Sequence, residues 1–420
     1  MTGNDQTKHE SHLPPCESLE VCTGCGACAA VCPVSCITMQ PNDEGFLYPV
    51  TDTDICTDCG ICRRICPVGP EKIAVAKMAS EGDKSGQLAV FAAWHLDEHI
   101  RRESSSGGVF TALAENILAQ GGIVVGAAFD EQFVVRHILI ESSKDLHRLR
   151  GSKYVQSEVA PALYRQIRDL LEQGRPVLFS GTPCQVAGLR SFLGQSYEKL
   201  FCCDLVCHGV PSPLLFKRYV QNYSLRENRL LKIDFRNKTT GWKKFGVRQH
   251  YQNESRLLSV WADPYMAAFL RDYVFRPACY ACEFKGVNRF GDLTIADFWG
   301  VWGKYPEYDR DDKGTSLLLV NNKKGKVWLD ACHSSLFLGP ADLDTAIVGN
   351  PMLMSSCSRP LQRDMFYVDL NRILFNALIR KYNLRLPSLF RRALSGIKRR
   401  LTAVWGSVTG TLGFGKRNPT

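Results

Sequence analysis

Apolar residues along this chain change their spacing three times. Between the two cysteine-rich stretches near the start they come in short bursts, 37–39 and 46–50, parted by the turn-rich Gln40-Pro41-Asn42-Asp43-Glu44-Gly45. That pattern predicts two brief strands and a tight connection. From residue 88 the runs lengthen. Compact β-branched or apolar runs at 88–94, 123–129, 134–140, 176–180 and 200–206 predict strands, while 109–119, 161–171 and 214–223 carry apolar residues at helical spacing. Four more strand-like segments, 232–235, 247–251, 293–296 and 317–320, favour a mixed sheet over a purely parallel one. Residues 1–15 read as a disordered leader without a signal sequence, and 79–86 as a linker.

The third pattern closes the chain. After Pro387, which suits a helix start, Leu389, Phe390, Ala393, Leu394, Ile397 and Leu401 share one face, opposite Arg391, Arg392, Lys398, Arg399 and Arg400. Such a basic amphipathic helix either docks on the protein with its charged face in water or makes a peripheral contact with an anionic membrane surface. The expected domains are therefore 16–78, 88–350 and a helical basic tail, 359–420.

Two cysteine runs carry the clearest chemistry. Cys22, Cys25, Cys28 and Cys32, followed by Pro33, recur as Cys56, Cys59, Cys62 and Cys66, followed by Pro67. This is the bacterial ferredoxin spacing, in which three thiolates wrap one face of an iron–sulfur cube and the fourth ligates the other cube. One [4Fe–4S] cluster then takes Cys22, Cys25, Cys28 and Cys66, the other Cys56, Cys59, Cys62 and Cys32. A zinc ribbon would need paired Cys-x2-Cys units with long spacers.

Beyond these runs, Cys184 lies in Gly181-Thr182-Pro183-Cys184-Gln185, where a helix start would lower its thiol pKa. Cys207 opens Cys207-His208-Gly209-Val210-Pro211, and Cys279-Tyr280-Ala281-Cys282 follows Pro277. Cys184, Cys207, Cys279 and Cys282 are candidate ligands of a third [4Fe–4S] cluster, with zinc as the rival occupant and Cys203 as a substitute for Cys184. Cys16, Cys36, Cys202, Cys332 and Cys357 read as buried small hydrophobes. Ser104-Ser105-Ser106-Gly107-Gly108 precedes a helix, suiting either an N-cap or a bound anion, and Arg150-Gly151-Ser152-Lys153 supplies nearby cations. Asp297 and Trp299 would either line a pocket for a planar ring or end a strand.

Composition narrows the classes. In 420 residues, 45% apolar and 22% charged describe an ordinary globular protein. Eighteen cysteines, most of them at metal spacing, with no signal peptide and no long apolar stretch, point to a reducing, cytoplasmic setting. The formal charge of +10 falls to about +4 once twelve thiolates and three cluster cores are counted, which removes the case for nucleic acid. No Gly-x-Gly-x-x-Gly and no phosphate-loop lysine motif occurs, so a Rossmann NAD site and a nucleotide hydrolase are unsupported.

Taken together, 151–157, 181–185, 207–212, Cys279-x2-Cys282 and 292–300 resemble the family of coenzyme F(420) hydrogenase/dehydrogenase beta subunits over about residues 20–350, with a dicluster ferredoxin fused in front. The resemblance implies an α+β fold in which a ferredoxin-like [4Fe–4S] dicluster module precedes a mixed-sheet α/β flavin-binding domain. It also implies FAD held by Ser106, Gly107, Gly108, Lys153 and Thr182, beside the third cluster. Electrons would pass between ferredoxin-type clusters, FAD and a small planar acceptor such as a deazaflavin. The alternative is an electron-delivery subunit serving a redox partner enzyme, for instance in exopolysaccharide biosynthesis.

Overall fold

The computed structural model describes residues 16, 18–69, 88–224 and 227–385; the expected leader, linker and basic tail helix lie outside these. Strands β1 (Ile37–Pro41) and β2 (Leu47–Thr51) form the antiparallel hairpin expected between the cysteine runs. On either side stand two matching short helices, Ala27–Val31 and Ile61–Arg64, each starting after a left-handed glycine, Gly26 (φ 83°) or Gly60 (φ 67°). Only glycine takes that conformation cheaply, and it lets each cysteine run turn tightly back on itself.

An eight-stranded sheet follows. It comprises β3 (Ala89–His95), β4 (Ile123–Phe129), β5 (Val135–Ile140), β6 (Val177–Gly181) and β7 (Leu200–Leu205), with three later strands. Three other strands, β8 (Leu230–Asn237), β9 (Gly246–Tyr251) and β10 (Ser255–Ser259), form a separate antiparallel sheet. The large sheet is then completed by β11 (Leu293–Asp297), β12 (Ser316–Val320) and β13 (Leu336–Ala341) in the order β13-β3-β12-β11-β7-β6-β4-β5. Its centre, β11-β7-β6-β4, is parallel and its flanks antiparallel, so the expectation of a mixed sheet holds.

Both faces of this sheet are covered, which is why its strands are nearly continuous apolar runs. Helices Val109–Ala119 and Lys323–Asp330 pack one face through Leu113, Ile117 and Trp328. Helices Pro161–Glu172 and Pro183–Leu193 cover the other through Tyr164, Ile167, Val186 and Leu189. The ferredoxin-like module joins this second layer directly, with Cys25, Ala27 and Ala30 in the same core. A Cβ on Gly188 would stand 2.9 Å from the Cys25 Cβ, so the helix needs a glycine where the cysteine loop rests on it.

A separate ion pair fastens the hairpin from its far side. Arg363 on helix Arg363–Arg372 donates to both carboxylate oxygens of Glu44, at 2.7 and 2.5 Å, and its side chain is only 1% exposed. Removing one partner of such a pair strands the other charge. Glu44→Ala is therefore expected to cost about 3 kcal/mol in chemical unfolding, with Glu44→Gln costing less because an acceptor is retained.

Candidate metal centres and the loops beside them

The parallel core of the sheet fixes where its loops emerge. Strands β6 and β7 run side by side, so Thr182-Pro183-Cys184 and Cys207-His208 leave the sheet at the same edge. Thr182 caps the Pro183–Leu193 helix in a reciprocal capping box with Gln185, and Pro183 occupies its first turn. Cys279 and Cys282 approach from a short turn, Pro277–Ala281, and its cap. All four thiols line one cavity of about 480 Å³.

Burial pushes the Cys184 thiol well above its ordinary pKa, with Cys282, Cys207 and Cys279 adding repulsion. The helix-start effect expected to lower it is therefore outweighed. Burial likewise raises Cys279 to about 12, followed by repulsion from Cys207. Burial raises Cys207 as well, and thiols such as Cys184, Cys207 and Cys279 that resist ionisation individually suit a cationic core that would bind them as thiolates. Cations gather at the same walls: Lys285 donates to the Cys207 carbonyl at 2.5 Å, and Arg289 pairs with buried Asp204 at 2.9 Å. The Val210 amide donates to Cys279 Sγ at 3.4 Å. Cys203 faces the opposite core, because neighbouring strand residues alternate between sheet faces, and does not replace Cys184 here.

The first cysteine run forms a second cavity, of about 330 Å³, lined by Cys22, Cys25, Cys28 and, from the other run, Cys66. Cys16, buried in the core as its reading as a small hydrophobe expects, lines it too. A hydrogen bond from Cys16 and the charge of Arg276 hold the Cys22 thiol down to about 6. Around the other run, burial raises Cys62, with Cys59, Cys32 and Cys56 adding repulsion. Cys59 is the one exposed cysteine. Thr23 lines both cavities and so stands between the first quartet and the third.

Zinc and a polynuclear core ask for different thiol spacings. Zinc held by sulfurs at about 2.3 Å brings them within about 4 Å of each other. Among the described residues, the one set of three or more His, Cys or acidic ligand atoms within 4.8 Å of one another is His208, Asp272 and Cys357. No three thiols of one quartet all lie within that distance of one another. His208 itself donates from Nε2 to the Asp272 carboxylate at 2.8 Å.

The expected flavin loops meet but are already engaged. Ser152 donates to Ser105 from its amide and hydroxyl, at 2.8 and 2.9 Å, joining the two segments. Ser106 donates to the Thr315 carbonyl, the Gly107 amide donates to Ser316, and Gly108 (φ 92°) caps the following helix. Lys153 donates to the carbonyls of Arg148, Leu149 and Arg150 at 2.9–3.0 Å. Asp297 is clamped by Arg236 and Trp242, and Trp299 stacks on Trp242 at 4.7 Å, so a protein ring occupies the place expected for a planar ligand. The buried basic residues Arg236 and Arg276 had no signal in linear spacing, since their partners lie far away in the chain.

Comparison with known proteins follows the same division. Residues 174–344 match the model for the C terminus, and residues 90–164 the model for the N-terminal part, of the coenzyme F(420) hydrogenase/dehydrogenase beta subunit. Residues 21–69 match a 4Fe-4S dicluster domain. One subunit of the F(420)H(2) dehydrogenase of Methanosarcina mazei is 27% identical over 298 residues, covering 66% of this chain and 75% of that protein. A chain of the F(420)-reducing NiFe hydrogenase complex from Methanosarcina barkeri superposes with a TM-score of 0.43 at 16% identity, covering 63% of this chain and 88% of the other. No helix among the described residues is long and apolar enough to cross a membrane.

Buried His137 braces the strand end that presents Cys184. Its Nε2 lies 3.0 Å from the Ser180 carbonyl and its Nδ1 2.7 Å from Ser157 Oγ, and the ring stacks on Phe179. Burial lowers its pKa from 6.5 to about 4. The unfolded chain therefore takes up a proton that the folded one refuses, so stability is complete above about pH 6.5 and falls as pH drops toward 4. Of the acid loss between those limits, about 3 kcal/mol belongs to this residue. Urea midpoints of wild type and His137→Gln, compared at pH 7 and 4.5, should show the variant less sensitive to acid.

Proposed function

The chain belongs to the family of coenzyme F(420) hydrogenase/dehydrogenase beta subunits, and we propose from that premise that it is the iron–sulfur electron-transfer subunit of an oxidoreductase. Three thiol quartets would hold the redox centres: Cys22, Cys25, Cys28 and Cys66; Cys32, Cys56, Cys59 and Cys62; and Cys184, Cys207, Cys279 and Cys282. The observation that carries this reading is the match of residues 21–69 to a 4Fe-4S dicluster domain, together with Thr23 lining both the first and third cavities. When bound, [4Fe–4S] clusters supply one-electron transfer at potentials set by charge, hydrogen bonds and burial.

The residues of the chain do the rest. The sheet edge fixes Cys184 and Cys207 beside the Cys279 turn, helix Pro183–Leu193 seats the Cys25 loop, and Cys184, Cys279 and Cys282 pack half-buried against the apolar core. Exposed Cys59 places the second quartet at the surface, where a redox partner protein can approach. The Methanosarcina mazei relative is itself one subunit of a dehydrogenase, which supports such a partner. On the acceptor side we place a small planar, deazaflavin-like molecule. FAD belongs to this proposal only through the family resemblance, which assigns it Ser106, Gly107, Gly108, Lys153 and Thr182. Flavin there would convert one-electron into two-electron chemistry.

Replacing Cys279 or Cys282 by serine should lower iron from about twelve to about eight per chain and leave the ferredoxin signals in place. Reduction of a deazaflavin acceptor by a low-potential donor should fall at least tenfold in the same variants. Unchanged iron, or zinc in place of the missing iron in wild type, would contradict the third assignment.

A further inference from the structure

Four arginines are buried in the described structure, Arg101, Arg236, Arg276 and Arg363. Three of them have a carboxylate: Arg101 has Asp311, Arg236 has Asp297 and Arg363 has Glu44. Arg276, with no exposed surface, forms no ion pair with any described acidic residue within 4.0 Å. Its donors are spent on neutral oxygens and on sulfur. Nε donates to the Cys22 carbonyl at 2.5 Å, Nη1 to Gln156 at 3.2 Å, and Nη2 to the Leu47 carbonyl at 3.0 Å and to Cys22 Sγ at 3.5 Å.

A guanidinium so deeply buried is costly without an opposing charge. The surroundings nevertheless are built to hold it. Its guanidinium carbon lies 4.0 Å from the centre of the Tyr48 ring, and a Cβ on Gly24 would come within 2.6 Å of Nη1, so the glycine between Cys22 and Cys25 makes room for it. Gln156 positions both sides at once, accepting from Arg276 and donating to the Thr23 carbonyl at 3.1 Å. The backbone of Arg276 meanwhile accepts from the Cys279 amide at 2.9 Å, in the turn of the third quartet.

We propose that Arg276 is the built-in counter-cation of the first ferredoxin cluster and raises its reduction potential, with Gln156 as the residue that positions it. This rests on the reading that Cys22, Cys25, Cys28 and Cys66 hold a [4Fe–4S] cluster. Four thiolates leave such a cluster net negative, and reduction adds one more negative charge, so a fixed cation beside it favours the reduced form. Arg276 thereby biases the electron toward the site that adjoins the third cavity, and it does so without touching the acceptor.

The test is an anaerobic redox titration of the whole chain, followed by electron paramagnetic resonance, with iron measured on each sample. In Arg276→Gln the midpoint potential of the first cluster, whose Cys22 sulfur Arg276 contacts, should fall furthest, that of the third by less, and that of the second should hold, while Arg276→Lys should stay closer to wild type. Gln156→Glu retains the arginine but gives it a competing carboxylate, so the same potential should fall there too. Unmoved potentials in Arg276→Gln and Gln156→Glu with full iron overturn the proposal, as does an equal shift of every centre. If Arg276→Gln loses iron or fails to fold, Gln156→Glu decides alone by the same criterion. Wild-type protein lacking iron at the first quartet would instead overturn the cluster assignment itself.

Discussion

The Cys22–Cys25 loop cannot satisfy its own backbone, and the larger domain does it instead. Carbonyls in an irregular, buried turn need donors, because leaving them unpaired costs as much as a lost hydrogen bond. Arg276 donates to Cys22, Gln156 to Thr23 and Tyr164 to Cys25, at 2.5, 3.1 and 2.7 Å. These donors come from three separate segments of the larger domain. The ferredoxin-like module is thus an inlaid part of the domain at this point, and the first and third thiol quartets share a wall as a direct result.

The same constraint explains why the fold carries glycine and small side chains where it does. Gly188 leaves space for the Cys25 loop on its helix, and Gly24 leaves space for the arginine within that loop. Each is a close approach that an added methyl would block. Charge follows the same logic. The excess of basic residues in the sequence is in part directed inward, with Arg276, Lys285 and Arg289 lining the third cavity. Such cations are poorly placed for an acidic macromolecule at the surface and well placed for anionic thiolate clusters.

Much of this was readable in the chain, and the reasons are local. Strands such as Ile123–Phe129 and helices such as Val109–Ala119 carry strong periodicity, and the structure gives them the expected bounds. The short element Leu336–Ala341 was not foreseen, since glycine and proline interrupt its pattern and only pairing with β3 makes it a strand. Similarly, Trp242 fills the space beside Trp299 because two distant segments meet, which linear spacing cannot reveal. The third quartet was legible as a set of loop cysteines. What the sequence did not disclose was which face Cys203 takes: along β7 Cys202 and Cys203 point into opposite cores, and Cys203 turns away from the quartet. Arg276 and Gln156 were silent for the same reason: their importance lies in contacts across more than a hundred residues.

The most direct measurement is spin quantitation by electron paramagnetic resonance on the fully reduced, anaerobically purified chain. Three [4Fe–4S] centres should give about three spins per chain, with signals broadened by mutual interaction because the first and third sites adjoin. About two spins, with the remaining four thiols titrating as free or zinc-bound, would contradict a continuous relay from the ferredoxin-like module into the larger domain.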